Sequence, residues 1–507
     1  MTTIEPVKNT VFLSYEVANC FAQSGVECVF FEPVCEHDKD ISTLVYVLEV
    51  MNIKAVICKD ASDAIIMAAG YSRIGRGPGT VLLRNDSSIL SAIEQCMFCQ
   101  SESDSVFVFL WERGESSGES GGIDDLVELG EKLTSYCLVF EFGLFKSRFP
   151  KMFKSCQSGA GGVSFIRLSL RPERTGQQEY LMAKLPANED NYKDIESQIA
   201  SLYHHLTVAR YPIIVTGVGA SITKCRQALS HLLHVAPVTV VSTFQGFSLL
   251  DFEHSDYFLG RVGSEHESSP ANKALYKSDL VILIGCHTEL ELNDNVISPD
   301  VTIYGITSER YSLENCITRN NIVFDISETI NRLTNLLVSS SNMKKMKRKK
   351  ESSLLIKRIF GLGDINSCGG HLAWPIYKCL DENTIVVCDT GDVYRYFKES
   401  LISTSNANVL FSNSNEINGF GLYWAIGISL SNPHIRVISI SDVLDHNMDK
   451  MDYYSMLNVR IKHFYCRKSN FFDPLDESDE KYTPSRITED MLIWNKPGCI
   501  EFYDVEY

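Results

Sequence analysis

Short apolar runs recur along this chain with longer amphipathic stretches between them, and that spacing restricts the fold more than any other feature. Cys28-Val29-Phe30-Phe31, Ala55-Val56-Ile57-Cys58, Thr80-Val81-Leu82-Leu83 and Val106-Phe107-Val108-Phe109-Leu110 read as strands, with helical patterns separating them. Gly159-Ala160-Gly161-Gly162 leads into a further run, Val163-Ser164-Phe165-Ile166-Arg167-Leu168. Strands that alternate with helix-length segments are the pattern of a parallel α/β sheet.

The plan repeats twice more. Ile213-Ile214-Val215, Val238-Thr239-Val240-Val241 and Leu280-Val281-Ile282-Leu283-Ile284 form a second set; Thr384-Ile385-Val386-Val387-Cys388, Val437-Ile438-Ser439-Ile440 and His463-Phe464-Tyr465-Cys466 form a third. The expected fold is α/β, with three domains each built on a parallel β-sheet flanked by helices, over residues 1–180, 190–338 and 367–507. A chain of 507 residues suits three domains of roughly 150 residues each. Residues 339–366 read as a linker. It carries a basic run from Lys344 to Lys350, which is either a solvated helix or a docking patch for an acidic protein partner.

Composition narrows the function classes. A formal net charge of −17 disfavours a general binder of nucleic acid or anionic membrane, because such surfaces need an excess of Lys and Arg. No apolar run approaches the roughly 20 residues of a membrane span, and the first residues carry no signal-peptide pattern. The sixteen cysteines show no paired metal-binding spacing; Cys96 and Cys99 are the nearest approach and have no second pair beside them. The expectation is a soluble, cytoplasmic protein with reduced thiols.

Several motifs, taken in order, point to one family. Asp63-Ala64-Ile65-Ile66-Met67-Ala68-Ala69-Gly70-Tyr71-Ser72-Arg73, followed by Gly75 and Gly77-Pro78-Gly79, resembles the helix and turn after the catalytic glutamate of acetolactate synthase-type enzymes, which use thiamine diphosphate (ThDP). Arg210-Tyr211-Pro212-Ile213-Ile214-Val215-Thr216-Gly217-Val218-Gly219 and Tyr257-Phe258-Leu259-Gly260-Arg261-Val262-Gly263 are similar to the family's middle domain. Asp389-Thr390-Gly391-Asp392 and Gly419-Phe420-Gly421-Leu422 resemble its diphosphate-binding domain. The resemblance covers about residues 12 to 503. It implies pyrimidine-binding, central and diphosphate-binding domains in that order, and a dimer or tetramer, with the last domain shorter at its end than in relatives.

The positions that carry the family's chemistry are altered. In such enzymes a glutamate hydrogen-bonds N1′ of the cofactor and promotes the tautomer that generates the nucleophilic carbon. Counting back from Met67 and Gly70-Tyr71 places Ala61 there. Asp60 and Asp63 flank it: either one supplies a shifted carboxylate, or Asp60 caps the helix and Asp63 favours its first turn. The family record of glyoxylate carboligase, which works with an apolar residue at this point, makes the loss suggestive on its own.

At the diphosphate site the family uses Gly-Asp-Gly and a later Asn pair to hold Mg²⁺ through oxygen ligands. Here Ser441-Asp442-Val443 keeps the Asp without its glycines, and Arg467 and Lys468 fall on the Asn positions. Three readings stand: the site is lost, Arg467 or Lys468 binds a phosphate directly, or a register shift lets Asp442 and Asn470 hold the metal. Asp389, Thr390, Gly391, Asn418 and Gly419 are the other candidate cofactor contacts, with Asn418 where a large apolar residue normally props the cofactor. Arg84-Asn85-Asp86-Ser87-Ser88 replaces the glycine-rich turn after the third strand.

The expectation is therefore a family member without cofactor and without catalytic residues, serving as a structural, regulatory or assembly homo-oligomer. The alternatives are an active ThDP- and Mg²⁺-dependent 2-keto acid decarboxylase or carboligase, and a binder of another nucleotide or acyl phosphate in the inherited cleft.

Overall fold

A computed structural model of the chain describes residues 4–33, 39–74, 77–84, 91–102, 104–112, 136–157, 162–169, 192–217, 219–220, 225–243, 257–262, 270–286, 297–298, 300–308, 320–339, 376, 381, 383–391, 409–412, 419–442, 453–454, 456–467, 494 and 499–506. Within them lie three sheets, all parallel.

The first sheet contains β1 (Cys28–Phe31), β2 (Lys54–Ile57), β3 (Gly79–Leu83), β4 (Val106–Glu112), β5 (Tyr136–Glu141) and β6 (Val163–Ser169), in the order β2-β1-β3-β4-β6-β5. Its described helices are α1 (Ile4–Ser24), α2 (Lys39–Val50), α3 (Ala61–Ile74), α4 (Ile93–Ser101) and α5 (Phe142–Gln157). An aromatic cluster joins α1 and α5 to β4: Phe21 stands 5.1 Å from Phe109, and Phe145 stacks on Phe149 at 5.1 Å. These rings are fully buried, and each contributes on the order of 1.5–3 kcal/mol through area removed from water.

The second sheet holds β7 (Pro212–Thr216), β8 (Thr239–Ser242), β9 (Phe258–Arg261), β10 (Leu280–Ile284), β11 (Thr302–Thr307) and β12 (Asn320–Val323), in the order β12-β11-β10-β7-β8-β9. Helices α6 (Tyr192–Val208), α7 (Arg226–Val235), α8 (Pro270–Tyr276) and α9 (Ile326–Ser339) accompany it. In α9, Ile326, Ile330, Leu333 and Leu337 form the buried stripe expected of an amphipathic helix, and Asp325 caps its start by accepting the Glu328 N–H at 2.7 Å.

The third sheet runs β14-β13-β15-β16-β17, from β13 (Thr384–Cys388), β14 (Val409–Phe411), β15 (Arg436–Ser441), β16 (Ile461–Arg467) and β17 (Ile500–Glu506). Lys462 on β16 is fully buried, with its Nζ 3.0 Å from Glu501 and 2.9 Å from the Tyr503 hydroxyl, both on the edge strand β17. Arg261 at the end of β9 is also buried; it donates to the carbonyl of Val409 at 3.3 Å and lies over the Phe411 ring.

One further helix, α10 (Gly421–Ser431), has no charged residue, and its Leu422, Tyr423, Trp424, Ala425, Ile426 and Ile428 are all buried. A helix that is apolar on every side has to be enclosed. The chain divides into two compact units, residues 1–185 with Tyr423–Pro433, and residues 186–422 with 434–507. Most of α10 therefore belongs to the first unit. The second and third sheets share the other.

Strands expected from apolar runs are present within a residue or two of their expected ends. Of those not expected, β9, β11 and β12 contain Gly, Arg or Asn and β14 is three residues long, whereas β5 is an apolar run of six that the expected strands omit. Arg467, expected just past a strand, is the last residue of β16 and pairs with Glu506 of β17.

Candidate functional site

In an open parallel sheet, a ligand crevice forms where consecutive strands are laid down in opposite directions, at the carboxyl ends of the two strands that part. Each of the three sheets has such a point.

In the first sheet, β2 lies to one side of β1 and β3 to the other. The residues at the parting ends are Glu32 and Arg84. Glu32 is buried, and its Oε1 accepts the Arg84 backbone N–H and lies 3.3 Å from the Arg84 Nε. Glu32 is a site residue that strand reading overlooks; the visible signal is an acid directly after the apolar run Val29-Phe30-Phe31.

Next to it, β2 leads into α3. Asp60 caps this helix, its Oδ1 accepting the Asp63 N–H at 2.8 Å. Ala61 follows as the first helical residue and is only 4% exposed. Asp63 is itself buried within the first turn. Position 61 thus presents a methyl group, and the carboxylate before it serves the helix terminus.

In the second sheet the parting strands are β7 and β10. Their ends meet backbone to backbone: Gly217 donates to the carbonyl of Ile284 at 2.9 Å and Gly219 to that of Gly285 at 2.8 Å. A methyl added at Gly217 or Gly285 would fall on the opposing backbone. Gly217 and Gly219 are thus both held in close backbone contact at this junction.

The third sheet parts between β13 and β15. Four of the sequence candidates gather here, together with Ser441. Asp389, directly after β13, is 1% exposed; its Oδ1 accepts the Thr390 N–H at 2.9 Å, and its Oδ2 accepts the Gly421 N–H at 3.2 Å and the Ser441 hydroxyl at 3.0 Å. Burial pushes the Asp389 carboxyl up to about 7 against those three donors, with the Asp442 charge adding to the rise. Gly391 has φ +126°, a conformation that excludes side chains, and a Cβ there would meet the Asp442 carboxylate. Asp442 is half-buried just past β15. Ser441, expected at a glycine position of the family motif, secures Asp389 through its hydroxyl.

These residues fit a ThDP–Mg²⁺ pair in part. The Asp442 carboxylate is of the kind that suits a hard cation, and it occupies the space beside Gly391 that a side chain there would fill. Asp389 is not a ready second ligand, because three donors already hold it. Among the described residues no group of three or more His, Cys, Asp or Glu side chains is placed to hold a metal. The methyl at position 61, where the sequence spacing leads one to expect the N1′ contact, offers no hydrogen bond to it. Gly419 lies just before α10, with φ +82°. Asn418, Lys468, Asn470 and the run from Lys344 to Lys350 lie outside the described residues, as does the side chain of Arg467.

Cys96 and Cys99, the closest cysteine pair in sequence, are both fully buried on α4, and burial drives both thiols up, Cys96 to about 12. No helix among the described residues is long and apolar enough to cross a membrane.

Two family models match the chain. One describes the N-terminal TPP binding domain of thiamine pyrophosphate enzymes and covers residues 14–129; the other describes the central domain of the same enzymes and covers residues 199–333. Among curated proteins, the acetolactate synthase of Bacillus subtilis (strain 168) is 22% identical over 447 residues, 84% of this chain and 75% of that relative. The catabolic acetolactate synthase of Raoultella terrigena is 22% identical over 430 residues, 82% of this chain and 75% of its own length. The mitochondrial acetolactate synthase of Schizosaccharomyces pombe is 22% identical, with 76% and 62% covered. These matches are to proteins that use thiamine diphosphate by family, and they lend no support to the expectation that the cofactor is absent.

Proposed function

The chain belongs to the thiamine pyrophosphate enzyme family, and on that premise we propose that it is an acetolactate synthase-like member without the family's catalysis, serving as a structural, regulatory or assembly homo-oligomer. The observation that carries this reading is the start of α3. A buried methyl at Ala61 occupies the acid–base position, and Asp60 is engaged as the helix cap. A methyl group neither donates nor accepts a proton, so the step that generates the nucleophilic carbon has no carboxylate there.

A domain surface that buries apolar groups keeps its value for assembly whether or not chemistry survives. A cytoplasmic dimer or tetramer is part of the proposal, with the basic run from Lys344 to Lys350 as a contact for an acidic protein partner.

The test is calorimetric titration of the purified protein with ThDP and Mg²⁺. No saturable heat is expected. Binding tighter than about 0.1 mM, roughly −5.5 kcal/mol, overturns the strong form of the proposal.

Asp442 and the Gly391 turn favour a second reading, a ThDP- and Mg²⁺-dependent decarboxylase or carboligase of 2-keto acids. On that reading Asp442 holds the metal and the Gly391 backbone admits the diphosphate. The cofactor, when bound, supplies the nucleophilic carbon. Saturable ThDP binding together with turnover of pyruvate would select it.

A further inference from the structure

Lys462 is buried at the end of the third sheet away from its crevice. It is the second residue of β16, whereas the crevice forms at the carboxyl ends of β13 and β15. Its side chain is fully buried, and its Nζ donates to Glu501 Oε2 at 3.0 Å and to the Tyr503 hydroxyl at 2.9 Å. The Tyr503 hydroxyl in turn donates to Glu501 Oε2 at 2.7 Å, which closes a triangle of hydrogen bonds. Nζ also lies 5.3 Å from the centre of the Trp494 ring, a favourable setting for a cation.

The apolar residues of β17 do little to choose which of its faces turns which way. Successive residues of a strand point to opposite faces, so Ile500 and Phe502 share one face and Tyr503 and Val505 the other. Glu501, Tyr503 and Val505 pair with Lys462, Phe464 and Cys466, and Tyr503 stacks on Phe464 at 4.9 Å. That arrangement leaves Phe502 46% exposed, while a glutamate shares the face of the buried Phe464 and Cys466. With apolar residues divided evenly between the faces, hydrophobic burial is nearly indifferent to a register displaced by one residue, which would exchange them.

Lys462 is far from indifferent. A slip of one residue carries Glu501 and Tyr503 to the opposite face and sets Ile500 or Phe502 across from the ammonium. A slip of two keeps the faces but puts Val505 or Cys499 in the place of one partner. Only the observed register supplies carboxylate and hydroxyl together. An ammonium removed from water without its partners is strongly unfavourable. A paired one adds little net stability over apolar residues of similar size, because both charges had to lose their water first. The weight of Lys462 therefore falls on the alternative pairings.

We propose that Lys462 is the register key of β17: it excludes displaced pairings of this strand without raising the stability of the correct one. Among the described strands β17 has a neighbour on one side only, so β16 alone sets its register. Edge strands are where such a device is needed.

Hydroxyl-radical footprinting of the full-length protein, read residue by residue by mass spectrometry, reports which side chains of β17 face water. In the wild type, oxidation of Phe502 is expected to exceed that of Tyr503. Lys462→Met combined with Glu501→Met replaces both charged groups by apolar ones of similar length. The urea midpoint of this double variant is expected to be no lower than that of the wild type, while the excess of Phe502 oxidation is lost as displaced registers become populated. An unchanged excess in the variant, or none in the wild type, overturns the proposal, since apolar packing would then set the register unaided or set another one. A lowered midpoint or a failure to fold overturns it as well, because the pair would then be serving stability.

Discussion

The carboxylate of Asp442 lies over the Cα of Gly391, in the space a side chain at 391 would fill. Gly391 also sits at φ +126°, so Gly391→Ala faces a steric and a conformational obstacle together. It is expected to lower stability by about 1–3 kcal/mol in urea unfolding. Adding Asp442→Ala removes the collision and leaves the backbone strain, so the double variant should recover part of the loss. A double variant no more stable than Gly391→Ala would show that the two residues do not share that space.

The Asp389 carboxyl, raised to about 7 mainly by burial, ties folding to pH. The folded protein keeps a proton that the unfolded chain has released between pH about 4 and 7. Its contribution is complete below that window, declines as pH rises through it and is gone above it. Asp389→Asn should remove this share of the slope, up to about tenfold in the folding equilibrium per pH unit. Urea midpoints at pH 5, 6, 7 and 8.5 measure it.

Ala61→Glu restores a carboxyl group at the start of α3, where the helix dipole favours it but the site is closed. The variant is expected to fold with a loss of about 1–3 kcal/mol and to show no decarboxylation of pyruvate. Measurable turnover would mean that the diphosphate site is intact and that the reading of Arg467 and Lys468 as replacements for metal ligands is wrong.

Glu32 and Arg84 contribute unequally to their pair. Glu32 accepts both the backbone N–H and the side chain of Arg84, whereas Arg84→Met removes only the second contact. The Arg84 side chain as a whole is also about a quarter exposed, at 28%, which weakens the pair. Glu32→Ala should therefore cost about 1–3 kcal/mol, by leaving a buried N–H without its acceptor, and Arg84→Met less than about 1 kcal/mol. Thermal unfolding of both variants and their combination gives the coupling.

Most strand positions are legible because a strand buried on both faces has to be apolar at nearly every residue, as in Leu280-Val281-Ile282-Leu283-Ile284. The cap at Asp60 is legible too, as an acid directly before the first helical residue. Hidden features depend on partners distant in the chain. Nothing local marks Glu32 as the acceptor for Arg84, or Ser441 as the donor to Asp389. Arg73 reads as an ordinary basic residue in the last turn of a helix until Glu102, Asp104 and Trp424 close around it. Lys462 likewise interrupts an apolar strand without warning, because its counter-charge lies on β17.

The junction of β7 and β10 has one more consequence. Substitution widens a cleft by trimming side chains, and at Gly217 and Gly285 there is nothing left to trim. No single amino-acid replacement at either position can make room there; only an insertion, or a repositioned loop, can part the two strand ends. The middle sheet is thus committed to its closed form by the genetic route as well as the physical one, while the third sheet, whose crevice is bounded by the side chains of Asp389, Ser441 and Asp442, remains one codon change away from a different lining.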